Sequence, residues 1–114
     1  MAINPLGTSD QGTVGYTDTL VWSHTTGVGS NLLLVGLTDY VGSAILSMTF
    51  NSIPLTLYRT YIGPSSDSRV HLYYLTNPDI GTFDIEVIQD IAVSMACVAI
   101  DFSGVDIADI FDIY

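Results

Sequence analysis

Apolar side chains recur at every second position through most of this chain, and that period decides what it can fold into. Leu20, Trp22 and His24 fall on one side of an extended segment, with Val21 and Ser23 on the other. In ILSMTFN, Leu46, Met48 and Phe50 alternate with Ser47, Thr49 and Asn51, and in IPLTLYRTY, Ile53, Leu55 and Leu57 share a side. SRVHLYYLT sets Val70, Leu72 and Tyr74 together, with His71 beside Tyr73 on the opposite side. TFDIEVIQ sets Phe83, Ile85 and Val87 inward, with Asp84, Glu86 and Asp90 toward water. A period of two places successive side chains on opposite faces of a strand, whereas a helix needs 3.6. NLLLVGLT and VSMACVAIDF are apolar on both sides, as in strands covered on both faces.

The interruptions agree with strands. TGVGS, DYVGS, GPSSDS and NPDIG are clusters of turn-forming residues between the runs, and Asn51-Ser52 reads as a tight hairpin turn. Pro54 at a strand start marks an edge or a bulge, because it has no N–H to donate. With a weak early strand near residues 13–16, about eight strands result. Short strands punctuated at this spacing predict an all-β, antiparallel, jelly-roll-like β-sandwich. One domain is expected over 13–104, preceded by an arm, 1–12, and followed by a tail, 105–114. The tail GVDIADIFDIY is ambiguous: Val105, Ile107, Phe111 and Ile113 share a strand face, and Ile107, Ile110, Phe111 and Tyr114 share a helix stripe. Either way it needs something to dock on, since apolar clusters of this size rarely stand exposed. Val105, Ile107, Ile110, Phe111, Ile113 and Tyr114 are the expected interface residues.

Charge narrows the partners. The 114 residues carry a formal charge of −10, with Arg59 and Arg69 the only basic side chains besides two histidines. Such a surface repels phosphate, so nucleic acid is not an expected partner. No apolar run approaches the roughly 20 residues of a membrane-spanning helix, and no signal peptide is visible, so membrane insertion is not expected. The single cysteine, Cys97, sits in an apolar run and reads as a buried small hydrophobe.

No pattern for catalysis stands out, and the chain is read as a non-enzyme. His24 and His71 read as core or rim histidines; sharing a metal with Asp39 or Asp101 is the alternative, without HxH or HExxH spacing to support it. Ser103 in FSGVD lacks a Gly-x-Ser-x-Gly setting. Asp84, Glu86, Asp90 and Asp101 are the available carboxylates for glycoside hydrolysis. Calcium is the one cofactor considered, in the oxygen-rich loops 64–68, 77–81 and 106–112. Exposed Tyr40, Tyr58, Tyr61 and Tyr73 would suit stacking on sugar rings, or a protein interface.

Three stretches, LVWSHTTGVGSNLLLVGL (20–37), ILSMTFNSIPLTLY (45–58) and VHLYYLTNPDIGTFDIEV…VAIDFSGVD (70–106), carry a wider likeness. Their Trp-x-His strand, Tyr-Leu-x-x-Pro-x-x-Gly-Thr unit and Phe-Ser-Gly-Val-Asp ending resemble jelly-roll-like domains of phage, environmental viral and bacterial surface proteins. The family's hairpin glycines are Asn51-Ser52 here, and its further strands after the last motif are missing. The resemblance implies a structural subunit of a virion or extracellular filament. Copies of itself are the expected partner, joined by exchanged terminal segments that close an open edge. A carbohydrate-binding module or adhesin, with a glycan as partner, is the alternative; a fragment of a larger surface protein is a third.

Overall fold

A computed structural model describes residues 3–40, 42–64 and 67–110, with 10–15 in backbone alone. It is all-β, and every strand pairing is antiparallel. The strands are β1 (Asn4–Thr26), β2 (Ser30–Tyr40), β3 (Ile45–Phe50), β4 (Ile53–Pro54), β5 (Thr56–Ile62), β6 (Ser68–Thr76) and β7 (Gly81–Ser103). Their hydrogen-bonded order is β4-β3-β7-β2-β6-β5, with β1 along the other side of β7.

The expected runs are redistributed among these elements. The weak early strand and the Trp22 segment form one 23-residue strand, β1. TFDIEVIQ and VSMACVAIDF likewise form one 23-residue strand, β7. IPLTLYRTY instead divides into β4 and β5 at Leu55, whose N–H donates to the Met48 carbonyl at 2.9 Å. Residues 4–12, expected as an arm, are the first part of β1 and pair from Asn4↔Ser103 to Gly12↔Cys97.

The two long strands bend together. β1 follows β7 from Thr26↔Gly81 to Asn4↔Ser103, with register shifts at Val14/Thr17 and Thr17/Thr19. On its other side, β7 pairs with β3 through Ile85–Gln89 and with β2 through Ala96–Ser103. Ser9 and His24 lie fifteen residues apart in β1, yet their side chains are 2.7 Å apart. A straight strand would separate them by about 50 Å, so the ribbon doubles back and its halves face each other.

The core fills the space between. Leu33, Val35, Leu37, Phe50, Ile85, Val87 and Ala99 are inaccessible to solvent, with Leu20, Trp22, Met48, Leu55, Val93, Met95 and Cys97 around them. Alternation thus holds for β1, β2 and β7. Leu46 departs from it: a shift between Ile45 and Ser47 puts it out of step, and Ile45 packs on the core instead. In β6 the core takes His71, Tyr73 and Leu75, leaving Val70 exposed on the outer face. Leu57 is exposed because β5 lies at the sheet edge.

Asn51 and Ser52 link β3 to β4 with φ of 51° and 65°. Positive φ at both central residues is the mark of a type I′ hairpin turn, whose twist suits the strands it joins. The left-handed backbone costs a non-glycine residue roughly 1–2 kcal/mol, partly offset by the freedom glycine loses on folding. Ser52→Gly is therefore expected to stabilise the fold by about 0.5–1 kcal/mol, measured as a raised urea midpoint.

The tail, as far as it is described, is neither strand nor helix. Gly104 turns the chain at a φ of 76°. Asn31 then clamps Val105, its Nδ2 donating to the carbonyl at 2.7 Å and its Oδ1 accepting the N–H at 3.2 Å. Asp106 takes the Ala108 N–H on its side chain and the Asp109 N–H on its backbone. Val105 and Ile110 are half-buried and Ile107 is exposed, while Phe111, Ile113 and Tyr114 lie outside the described residues.

Candidate functional site

Each histidine sits in its own hydroxyl–imidazole–carboxylate chain. The first joins the halves of the long ribbon. Asp101 on β7 is fully buried and accepts Nε2–H of His24 at 2.9 Å. In the neutral imidazole, Nδ1 is then an acceptor, so the Ser9 hydroxyl donates to it at 2.7 Å. Trp22 Nε1–H donates to Ser9 Oγ at 3.1 Å, and the Gly27 N–H fills Asp101 Oδ2 at 3.0 Å.

The second chain has the same atomic order at the other end of β2. Thr60 Oγ1 lies 2.8 Å from His71 Nδ1, and His71 Nε2 lies 3.0 Å from Asp39 Oδ1. Here the buried carboxylate gathers more donors. Arg69 binds it with both arms, Nε to Oδ1 at 3.0 Å and Nη2 to Oδ2 at 2.9 Å. Gln89 Nε2 adds a bond to Oδ2 at 2.9 Å. Arg69 continues to the Ser43 carbonyl at 2.8 Å, tying the β2–β3 connection to β6. One cation and one anion thus enter the interior paired, the condition under which burial of charge is tolerated.

A hydroxyl, an imidazole and a carboxylate in line are the parts of an acyl-transfer site. These chains instead lie behind the sheet surface. His24, His71, Asp39 and Asp101 are buried, and the Ser9 oxygen a substrate would meet already accepts the indole N–H. The two histidines do not converge on one ion, since each faces a separate aspartate. Among the described residues no group of three metal-ligating side chains forms.

Of the loops named for calcium, 77–81 and 106–112 use a carboxylate in local bonds; residues 65, 66, 111 and 112 lie outside the described residues. Asp79 accepts the Asn51 amide at 2.8 Å, and Asp106 caps its own turn. Asp90 accepts the Ala44 N–H at 2.7 Å. Asp84 and Glu86 line a shallow groove with Val21, Thr49, Asn51 and Thr82 on the outer side of the β3–β7 pairing. Ser103 is half-buried at the end of β7.

The tyrosines do not make one row. Tyr73 pairs with Val35 and turns to the core face, where burial and then Asp39 raise the pKa of its hydroxyl. Tyr40 and Tyr61 are exposed on the outer face, and Tyr58 joins Tyr61 around Arg59. The Arg59 guanidinium lies 5.5 Å from each of these two rings and donates from Nη1 to the Tyr61 hydroxyl at 2.8 Å. Such cation–π contacts hold the arginine in place.

Arg59 and Tyr61 border an apolar outer surface. Tyr74, Leu34 and Ile100 form one row across β6, β2 and β7; Leu72, Gly36 and Val98 form the next, and Val70, Thr38 and Ala96 a third. Arg59 continues the second row onto β5 and Tyr61 the third. Val98 and Val70 are about half exposed.

Cys97 faces the opposite, inner side. Burial pushes its thiol up to about 12, with Asp39 adding to the shift. An unfolded thiol ionises near pH 9 and the folded one only near 12, so the folded state holds the extra proton between those values. Stability is therefore expected to fall with rising pH across that window, by up to about 1.4 kcal/mol per pH unit from this group. Comparing urea midpoints of wild type and Cys97→Ala from pH 8 to 11.5 isolates the effect: the variant's slope should be the shallower.

Sequence reasoning read both histidines as core or rim residues, and both are buried; it named Asp39 and Asp101 only as carboxylates that could share a metal with them. It missed Ser9 and Thr60. Thr60 lies opposite His71 through the β5–β6 register, and neither it nor Ser9 carried a local signal. No family model, curated protein or solved structure matches this chain.

Proposed function

We propose that this chain is a non-catalytic structural subunit that assembles with copies of itself, in a virus particle or an extracellular filament. The observation that carries the reading is β5 with its adjoining outer face. Six of its seven residues are exposed, on both sides of the strand, Leu57, Tyr61 and Ile62 among them. A protein that worked alone would gain solubility by placing charge there. The buried histidine chains support the same reading, because they brace strands rather than present a nucleophile. Exchange of terminal segments, in this reading, begins after Val105, which Asn31 holds to its own body. The virion or extracellular setting rests on the sequence resemblance.

Sedimentation velocity over a hundredfold range of concentration tests the proposal. Species at integer multiples of the monomer mass are expected, and a sole monomer at every concentration overturns it. Truncation after Gly104 reads the part played by the tail: loss of the oligomer assigns assembly to it, and retention assigns assembly to the folded body.

A carbohydrate-binding or adhesive role is the second reading, favoured by the Tyr58–Arg59–Tyr61 group. It expects a monomer that retains glycans on an array and loses them with Tyr61→Ala.

A further inference from the structure

We infer that two copies join edge to edge through β5, antiparallel about a twofold axis at Thr60, making one sheet continuous across both molecules. The inference rests on the assembly reading above and names its contact.

Among the described residues the sheet has three outer edges. β1 carries four register shifts and Pro5 along its length, and β4 is two residues long and ends in Pro54. Bulges, prolines and shortness are the usual means of stopping a strand from pairing with a stranger. β5 has seven residues, no proline and a single shift, between Leu57 and Arg59, with regular pairing from Arg59 to Ile62. Its sequence, TLYRTYI, is rich in the β-branched and aromatic residues that favour strands. Lysine, the common guard of such edges, is absent from the whole chain.

Charge selects a second copy as the occupant. A chain of formal charge −10 repels its own kind over most of its surface. β5 and β6 contain no carboxylate, and their two arginines sit on Tyr58 and Tyr61 or on Asp39. Two copies meeting at this edge bring no carboxylate of β5 or β6 against another.

The same charges choose the register. In an antiparallel pair, opposed residues share a face, so the twofold must pass through a residue. An axis at Arg59 sets arginine against arginine, and one at Tyr61 sets Arg59 against Gly63. An axis at Thr60 sets Arg59 of each copy against Tyr61 of the other on the outer face. Each guanidinium, already beside Tyr58 and Tyr61 of its own chain, then gains a third tyrosine ring, in a self-complementary contact that closes at two.

The test uses the full chain, with the dimer dissociation constant read by sedimentation equilibrium. Tyr61→Lys places like charges opposite each other at two symmetric positions and is expected to weaken the dimer about tenfold or more. Adding Arg59→Glu turns both into opposite-charge pairs and is expected to restore affinity to within about threefold of wild type. Net charge alone gives the reverse order, because the single variant carries −9 and the double variant −11 against −10 for wild type. Both side chains are exposed, so folding is expected to be intact by circular dichroism. If wild type associates but neither variant changes the constant, or the double variant is the weaker, the β5 contact is overturned and assembly through another surface stands. If wild type is monomeric throughout, the contact and the assembly reading fall together.

Discussion

Asp39→Ala is expected to destabilise the fold by about 3–5 kcal/mol, a large share of the 5–15 kcal/mol typical of a domain. The carboxylate is fully buried and accepts from Arg69 twice, from His71 and from Gln89. Its removal leaves the guanidinium, mostly enclosed, without a counter-charge, and three neighbours with unmet donors. Asp39→Asn removes the charge but keeps one acceptor oxygen, and a smaller loss is expected. Urea denaturation of both variants, followed by Trp22 fluorescence, measures the difference; equal stability of wild type and Asp39→Ala would remove the structural role assigned to this cluster.

Phe50→Ala is expected to cost a comparable amount, about 3–5 kcal/mol, by a different route. Phe50 has no solvent exposure and meets Phe83 edge-on at 5.7 Å and His24 at 6.3 Å. Truncation leaves a cavity lined by strands of both halves, which cannot close in without bending the sheet. Phe50→Leu keeps most of the volume and should lose much less. The His24 ring loses a neighbour on one side only, because Asp101 and Ser9 still hold both of its nitrogens. Thermal unfolding of the two variants checks the ranking, and an alanine variant as stable as the leucine one would contradict it.

The fold was legible wherever one face of a strand meets the core and the other meets water. Leu20–Trp22–His24 and Phe83–Ile85–Val87 show this, because a period of two and burial say the same thing there. It was less legible in SRVHLYYLT, where both sides are apolar enough to face inward. The core took His71 because Asp39 lies diagonally across the β2–β6 ladder within hydrogen-bond reach, a partner thirty-two residues away in sequence. Leu46 misled for a local reason: one extra residue in β3 moves a side chain to the other face, and alternation alone does not reveal a bulge. The burial of the histidines was readable from their apolar neighbours. Their hydroxyl partners depend on where β1 bends and on how β5 lies against β6, and neither is encoded near the histidine. The aromatic row was expected from strand location alone; register divides it, sending Tyr73 inward.

The pairing of Asn4 with Ser103 sets a condition on how the molecule is made. The partners of β1 follow it by 55 residues at Thr26↔Gly81 and by 99 at Asn4↔Ser103, so β1 completes none of its hydrogen bonding until β7 has been made. Closure of a loop of 55 residues, from Thr26 to Gly81, precedes the first of these pairs, which favours slow, all-or-none acquisition of structure. A nascent chain released before β7 emerges would carry β1 and β2 with unsatisfied edges and be a target for chaperones and proteases.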